Sequence, residues 1–241
     1  MERRERGTAA CRDVLKRIVG YRSARGPGRR MPEDLGGRVR ERVRPMVEGL
    51  HAAGVLPEAA AFLHTLDRRV HVVTPNTFGA LVDTVPLDVG WDLANLLLDD
   101  LGAPPLSDDT PELDGLCNGG HAWLLPRAFA EARPWSDVVV HEVAHLLHTV
   151  RRSEVTGGDE SAGVLLPVPP RRRETFAYAC EVWACIDRMA PESRSAALVD
   201  YRDSATPPDA RVDRQALDRL LAAAAGGGAW GSLASWAVTG R

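Results

Sequence analysis

Residues 138–147 read Val138-Val139-Val140-His141-Glu142-Val143-Ala144-His145-Leu146-Leu147, and this run decides how the rest of the chain is read. Histidines four apart on an α-helix stand one turn above each other, so both imidazoles can reach a single zinc ion at about 2.0–2.1 Å. Glu142 falls about 100° round the helix, unable to be a third ligand but able to reach a water on the metal. Its carboxylate can take that water's proton as the water attacks a carbonyl. Every other residue from 138 to 147 is apolar. A helix so clothed is buried on most sides, and two histidines and a glutamate there cost several kcal/mol without a partner. A charged stripe on a solvated face does not fit that surround. His141 and His145 therefore read as metal ligands and Glu142 as the general base.

Working outward, Ser136 can cap this helix, with Asp137 in its first turn complementing the dipole, and the pattern runs to about residue 152. Ahead of it, LCNGGHAWLLP (116–126) reads as a strand whose glycine pair marks a bulge or a close backbone approach. RVHVVTP (69–75) is a second strand candidate. Helical spacing appears over 33–54, where Leu35, Val39, Val43, Val47 and Leu50 recur at i/i+4, and again over 57–66 and 91–102. Residues 104–115 form an acidic, proline-containing loop. Residues 1–33 are basic and punctuated by Gly and Pro, and are expected to be an N-terminal segment that is partly mobile. Beyond the helix, a Gly-rich loop (153–164) and a Pro-rich segment (165–170) lead into helices over 172–189, 192–202 and 211–225. The expected class is α+β, a small twisted mixed sheet above the HEVAH helix. Residues 34–152 would form an upper lobe ending in that helix, and 153–241 a helical lower lobe carrying the third ligand.

That third ligand has several candidates. Glu174, Tyr178 and Glu181 stand at i, i+4 and i+7 on one face of an otherwise apolar helix, where a carboxylate again needs a cation. Glu174 is preferred; Glu181 is a rival two turns on. Asp159, 14 positions after His145, would suit an aspartate ligand. His148, one turn past His145, is the position of a supporting or core residue.

The pair of patterns, HEVAH and the downstream Glu174-Thr175-Phe176-Ala177, resembles the active-site core of the gluzincins, the zincin branch that includes thermolysin and anthrax lethal factor. The likeness covers about 138–186 and rests on a glutamate 29 positions after His145 and on an E-x-F-A run around it. It implies a zincin-like fold with a cleft between sheet and helices, and Glu174 as the third ligand to Zn2+. One turn beyond the glutamate the family often has a residue supporting a ligand histidine; here that position is Tyr178. The resemblance also implies a substrate laid along an edge strand. Asn118, Gly119, Gly120, His121 and Ala122 are then the substrate-contact candidates, with His121 as an oxyanion donor and Tyr178 and Tyr201 as alternatives. The tyrosine that precedes the third ligand in those relatives has no counterpart in 161–173.

Bulk properties bound the rest. A net charge of −3 on 241 residues gives no general pull toward nucleic acid or anionic membrane. No run of about 20 apolar residues could span a bilayer, and no apolar segment follows the charged N-terminus as a secretory signal would. Four cysteines in a chain this long do not make a disulfide scaffold, and Cys180 and Cys185 read as reduced core thiols. A cytoplasmic location is expected. No phosphate-cradling glycine loop suggests a cofactor other than the ion. Arg171, Arg172 and Arg173 could attract an acidic substrate or simply be solvated. The expected function is that of a zinc-dependent hydrolase, foremost a metallopeptidase acting on peptide bonds. A zinc amide hydrolase or biosynthetic enzyme taking a small amide or modified peptide is the nearest alternative. A metal-stabilised binding protein is the alternative of another class, disfavoured because a structural site has no need of Glu142.

Overall fold

The structure, a computed structural model, describes residues 2–23, 33–56, 58–107, 114–118, 120–130, 134–155, 169–204, 209–228 and 230–233. In chain order the elements are α1 (Glu2–Ser23), α2 (Leu35–Ala52), α3 (Ala59–Arg69), β1 (Val70–Val72), α4 (Pro75–Thr84), α5 (Leu87–Asp100), β2 (Gly115–Asn118), β3 (His121–Leu124), α6 (Arg127–Ala130), α7 (Val138–Val155), α8 (Pro170–Asp187), α9 (Arg194–Ser204) and α10 (Arg214–Ala223). The chain is mostly helical with one three-stranded mixed sheet, which places it in the broad α+β class. No described helix is long and apolar enough to cross a membrane.

Two compact units share the chain, and neither is continuous in sequence. The first takes Met1–Leu35 and Val70–Glu131, the second Gly36–Arg69 and Ala132–Arg241. This differs from the expected division at 152/153. The HEVAH helix belongs with the helices that follow it, because α7 packs on α8.

In the first unit the strand order is β1-β3-β2, with β1 parallel to β3 and β2 antiparallel to it. Residues 116–126 are not one strand. They turn back between Asn118 and His121, which are paired partners across a two-residue connection, and Gly120 takes φ +77° there. A residue with a Cβ is strained at that φ, which is the physical sense of the glycine. Its neighbour Gly119 lies outside the described residues. The core under the sheet comes from paired apolar positions one turn apart: Leu15 and Val19 on α1, Phe78 and Val82 on α4, Leu93 and Leu97 on α5. Residues 2–23 are therefore a helix packed on α4 and α5, where the sequence reading expected a partly mobile basic segment. Leu15 and Val19 dock it in the core, and its basic residues find partners, Arg12 donating to the Val85 carbonyl at 2.7 Å and Lys16 to Asp83. The 69–75 strand is shorter than expected, because Thr74 and Thr77 form a reciprocal capping box that starts α4 at Pro75.

In the second unit α2 buries Val39, Val43, Val47 and Leu50 of the expected stripe together with Met46, while Leu35 is only half-buried. The Arg40–Asp67 ion pair links α2 to α3. The backbone of Gly49 lies so close to the Trp230 indole that a Cβ built there would stand 2.1 Å from Cδ1. α8 packs on α7, α9 and α10, its buried side including Phe176, Cys180, Val182, Trp183 and Ile186. Cys11, Cys117, Cys180 and Cys185 are all thiols, and burial pushes Cys180 up.

Candidate metal centre

The polar groups of the centre belong to the second unit, chiefly on α7 and α8, with Arg42 from α2 and Arg211 from the turn before α10. α7 begins at a carboxylate, but not by way of Ser136. The cap is Asp137, whose Oδ1 accepts from Val140 N at 3.3 Å while its backbone carbonyl accepts from His141 N at 3.0 Å. Asp137 is 3% exposed and is neutralised by two arginines from other helices, Arg188 Nη2 at 2.6 Å and Arg42 Nη1 at 3.5 Å. Just before it Trp135 adopts φ +63°, rare for a bulky residue, with its ring edge-on to Tyr201.

Starting from this cap, one turn of α7 aims His141 and His145 at α8. His141 Nε2 and His145 Nε2 are 3.2 Å apart, and Glu174 Oε2 lies 3.6 Å from the first and 3.3 Å from the second. Among the described residues His141, His145 and Glu174 are the group that could hold a metal ion. Three donors at these separations can all stand about 2 Å from one point, the bond length that imidazole and carboxylate make to first-row divalent ions. Two imidazole nitrogens and a carboxylate oxygen aimed at one point are also a costly arrangement without a shared proton or cation between them.

Glu181 does not join the His141–His145–Glu174 group but stands behind one of its histidines. Its Oε2 faces His141 Nδ1 at 3.0 Å, while Oε1 accepts from Ser136 Oγ at 2.7 Å and from Asp137 N at 2.8 Å. Accepting from Nδ1–H leaves the Nε2 lone pair for a metal, the usual role of a carboxylate behind a ligand histidine. That role passes over Tyr178, one turn after Glu174, to the residue two turns after it. Tyr178 instead lays its ring edge-on against His141, centroids 4.7 Å apart.

Burial and neighbouring charge shift His141, Glu142, His145 and Glu174. For His141 burial works against the imidazolium, but hydrogen bonds to Glu174 and Glu181 outweigh it and push the pKa up to about 10. His145 goes the other way, to about 4, chiefly through burial. Glu174 is held well below the usual carboxylate range: burial opposes this, but the two histidines prevail. Burial raises Glu142 to about 7, with the negative charges of Glu174 and Glu181 adding to the effect and His141 opposing it. Glu142 Oε2 is buried and makes no hydrogen bond among the described residues. A buried carboxylate oxygen left unsatisfied beside a group that could hold a metal ion marks Glu142 as a candidate functional residue.

The other sequence candidates are dispersed. Asn118, Gly120, His121 and Ala122 lie in the sheet of the first unit, not in the unit that carries the ligands. His121 Nδ1 is 2.9 Å from His71 Nε2, and the two rings stack beside Trp123. Tyr201 is buried against Trp135 with the Arg214 guanidinium over its ring, and burial pushes its hydroxyl up to about 12. Asp159 and the side chain of His148 lie outside the described residues.

Arg211, from the turn before α10, was not anticipated: its Nη2 lies 3.4 Å from Glu174 Oε1. An arginine in a polar turn 37 positions beyond the glutamate carries no spacing that could have announced it. Compared with known proteins, the chain matches no family model, no curated protein and no solved structure.

Proposed function

We propose that the protein is a zinc-dependent hydrolase, most simply a metallopeptidase of gluzincin type, with His141, His145 and Glu174 as ligands and Glu142 as general base. One observation carries the reading. Three donor atoms 3.2–3.6 Å apart match the edges, about 3.3–3.4 Å, of a tetrahedron with zinc at its centre. The glutamate that follows the first ligand is buried beside them with an unsatisfied oxygen. Three protein ligands leave a fourth position open, which separates a catalytic site from a closed structural one.

Zinc bound there would supply a Lewis acid, polarising a carbonyl oxygen and acidifying water to a pKa of about 7. The remaining work falls to side chains. Glu181 faces His141 Nδ1, so that Nε2 is the nitrogen turned toward the ion and the one whose proton a metal would displace. Glu142, raised toward neutrality by its dry surroundings, is matched to accept a proton from water and return it to a leaving amine. Tyr178, against the His141 ring, is the nearest phenol on the ligand helix and the candidate donor to a developing oxyanion.

The substrate in this reading is a peptide, or a small amide of the same chemistry. Metal analysis of the purified chain, followed by digestion of a peptide library by wild type and by Glu142→Gln, tests it. The expected result is one zinc per chain in both proteins and cleavage by the wild type alone. A library left intact by fully zinc-loaded wild type would transfer the reading to small amides. A chain that takes up no zinc would end it.

A further inference from the structure

The two oxygens of Glu174 face different partners. Oε2 points at the two histidines, whereas Oε1 lies 3.4 Å from Arg211 Nη2. Arg211 sits in the turn between α9 and α10 and is 57% exposed, so on its own it would sample many rotamers. Asp209 prevents that. The Asp209 carboxylate accepts from the Arg211 backbone N at 2.7 Å, lies 3.0 Å from Nε through each of its oxygens, and meets Nη2 as well. A planar guanidinium fixed along one edge keeps the direction of its remaining N–H groups, which a lysine could not do.

We infer that Arg211 is a positioning residue of the metal centre: clamped by Asp209, it occupies Glu174 Oε1 and so restricts the glutamate to one-oxygen ligation through Oε2. The inference rests on the reading of His141, His145 and Glu174 as metal ligands. A carboxylate can meet an ion with one oxygen or two, and a second oxygen would take the coordination position that a substrate or water needs. The contact is an ion pair at 3.4 Å, and the attraction between guanidinium and carboxylate favours leaving Oε1 where it is. The turn of 209–213 thereby becomes part of the centre, although none of its residues touches the ion.

Coordination number is the readout that a mere loop anchor would leave unchanged. Cobalt(II) substituted for zinc absorbs strongly in the visible when four-coordinate and several-fold more weakly when five-coordinate. Wild type loaded with cobalt(II) should show the intense bands. In Arg211→Ala, and to a lesser degree in Asp209→Asn, the bands should weaken several-fold as Oε1 joins the ion. Arg211→Lys should restore them only in part. Circular dichroism of each metal-free variant checks folding, and Asp209→Asn, which keeps the arginine, serves if Arg211→Ala does not fold. Bands of wild-type intensity in both Arg211→Ala and Asp209→Asn would overturn the inference and leave the ligand reading standing. A wild type that takes up neither cobalt nor zinc, or Glu174→Gln binding metal as wild type does, would overturn the ligand reading itself.

Discussion

At the scale of single residues, the centre divides labour between the carboxylates of α8. Glu174 contacts both histidine Nε2 atoms and Glu181 the reverse side of one ring, so their removal should have different consequences. Glu174→Ala should abolish stoichiometric zinc, as measured by metal analysis after gel filtration. Glu181→Ala should keep zinc at one per chain but weaken it by about 10–100-fold in competition with a chelator. Proton linkage gives a second expectation. With no ion bound, His141 keeps its proton up to about pH 10, and a metal must displace it. Apparent zinc affinity should therefore climb as pH rises from about 7 to about 9, with proton release seen by calorimetry in buffers of different ionisation enthalpy. The metal-free fold should show the opposite trend. A histidine whose folded pKa is raised from 6.5 to about 10 contributes stability that is complete below about 6.5 and disappears as pH approaches 10. Urea melts of metal-free protein at about pH 7 and about pH 9 check the sign. An affinity that did not change with pH would mean that His141 is already neutral before metal arrives.

Elements were legible in proportion to how local their causes are. The α7 motif and the α2 stripe could be read because helix periodicity needs only neighbours along the chain. α4 was missed because Thr74-Pro75 looks like the end of a strand, when a threonine cap followed by proline is equally a helix start. α1 was missed because charged residues dominate the stretch, although one turn within it, Leu15 and Val19, is buried in the core. That Glu174 stands beside the two histidines could be anticipated from its spacing, but the contacts of Glu181 depend on where α8 lies beside Ser136 and Asp137, which spacing alone does not express. The same limit governs two helix glycines. Gly→Ala inside a helix ordinarily stabilises by about 0.5–1 kcal/mol. Gly79 on α4 has no atom within 4 Å of a new Cβ, so Gly79→Ala should follow that rule. Gly49 on α2 meets the Trp230 indole, so Gly49→Ala should instead destabilise by about 1–3 kcal/mol. Denaturant titration of both variants decides, and equal effects would mean that Trp230 moves aside freely.

At the scale of the whole molecule, the ligands and their supports all fall within one of the two compact units. Metal should thus stabilise that unit by mass action, roughly 2.7 kcal/mol at a free zinc concentration one hundred times the dissociation constant. Hydrogen exchange with and without zinc should show the gain concentrated in α7, α8 and the 209–213 turn, and Glu174→Ala should erase it. Protection spread evenly over the sheet of the other unit would mean that the two open together.

The chain passes from one unit to the other at 35/36, again at 69/70 and a third time at 131/132. Neither unit can therefore be excised by a single cut, and a truncation at 152/153 would remove most of the second and strand the rest. On the ribosome, α2 and α3 emerge well before the helices they belong with, and must wait through about sixty residues of the other unit. Nascent α2, whose Val39, Val43 and Val47 are buried in the finished protein, is then a natural client for a chaperone until the rest of its unit, from residue 132 onward, has been synthesised.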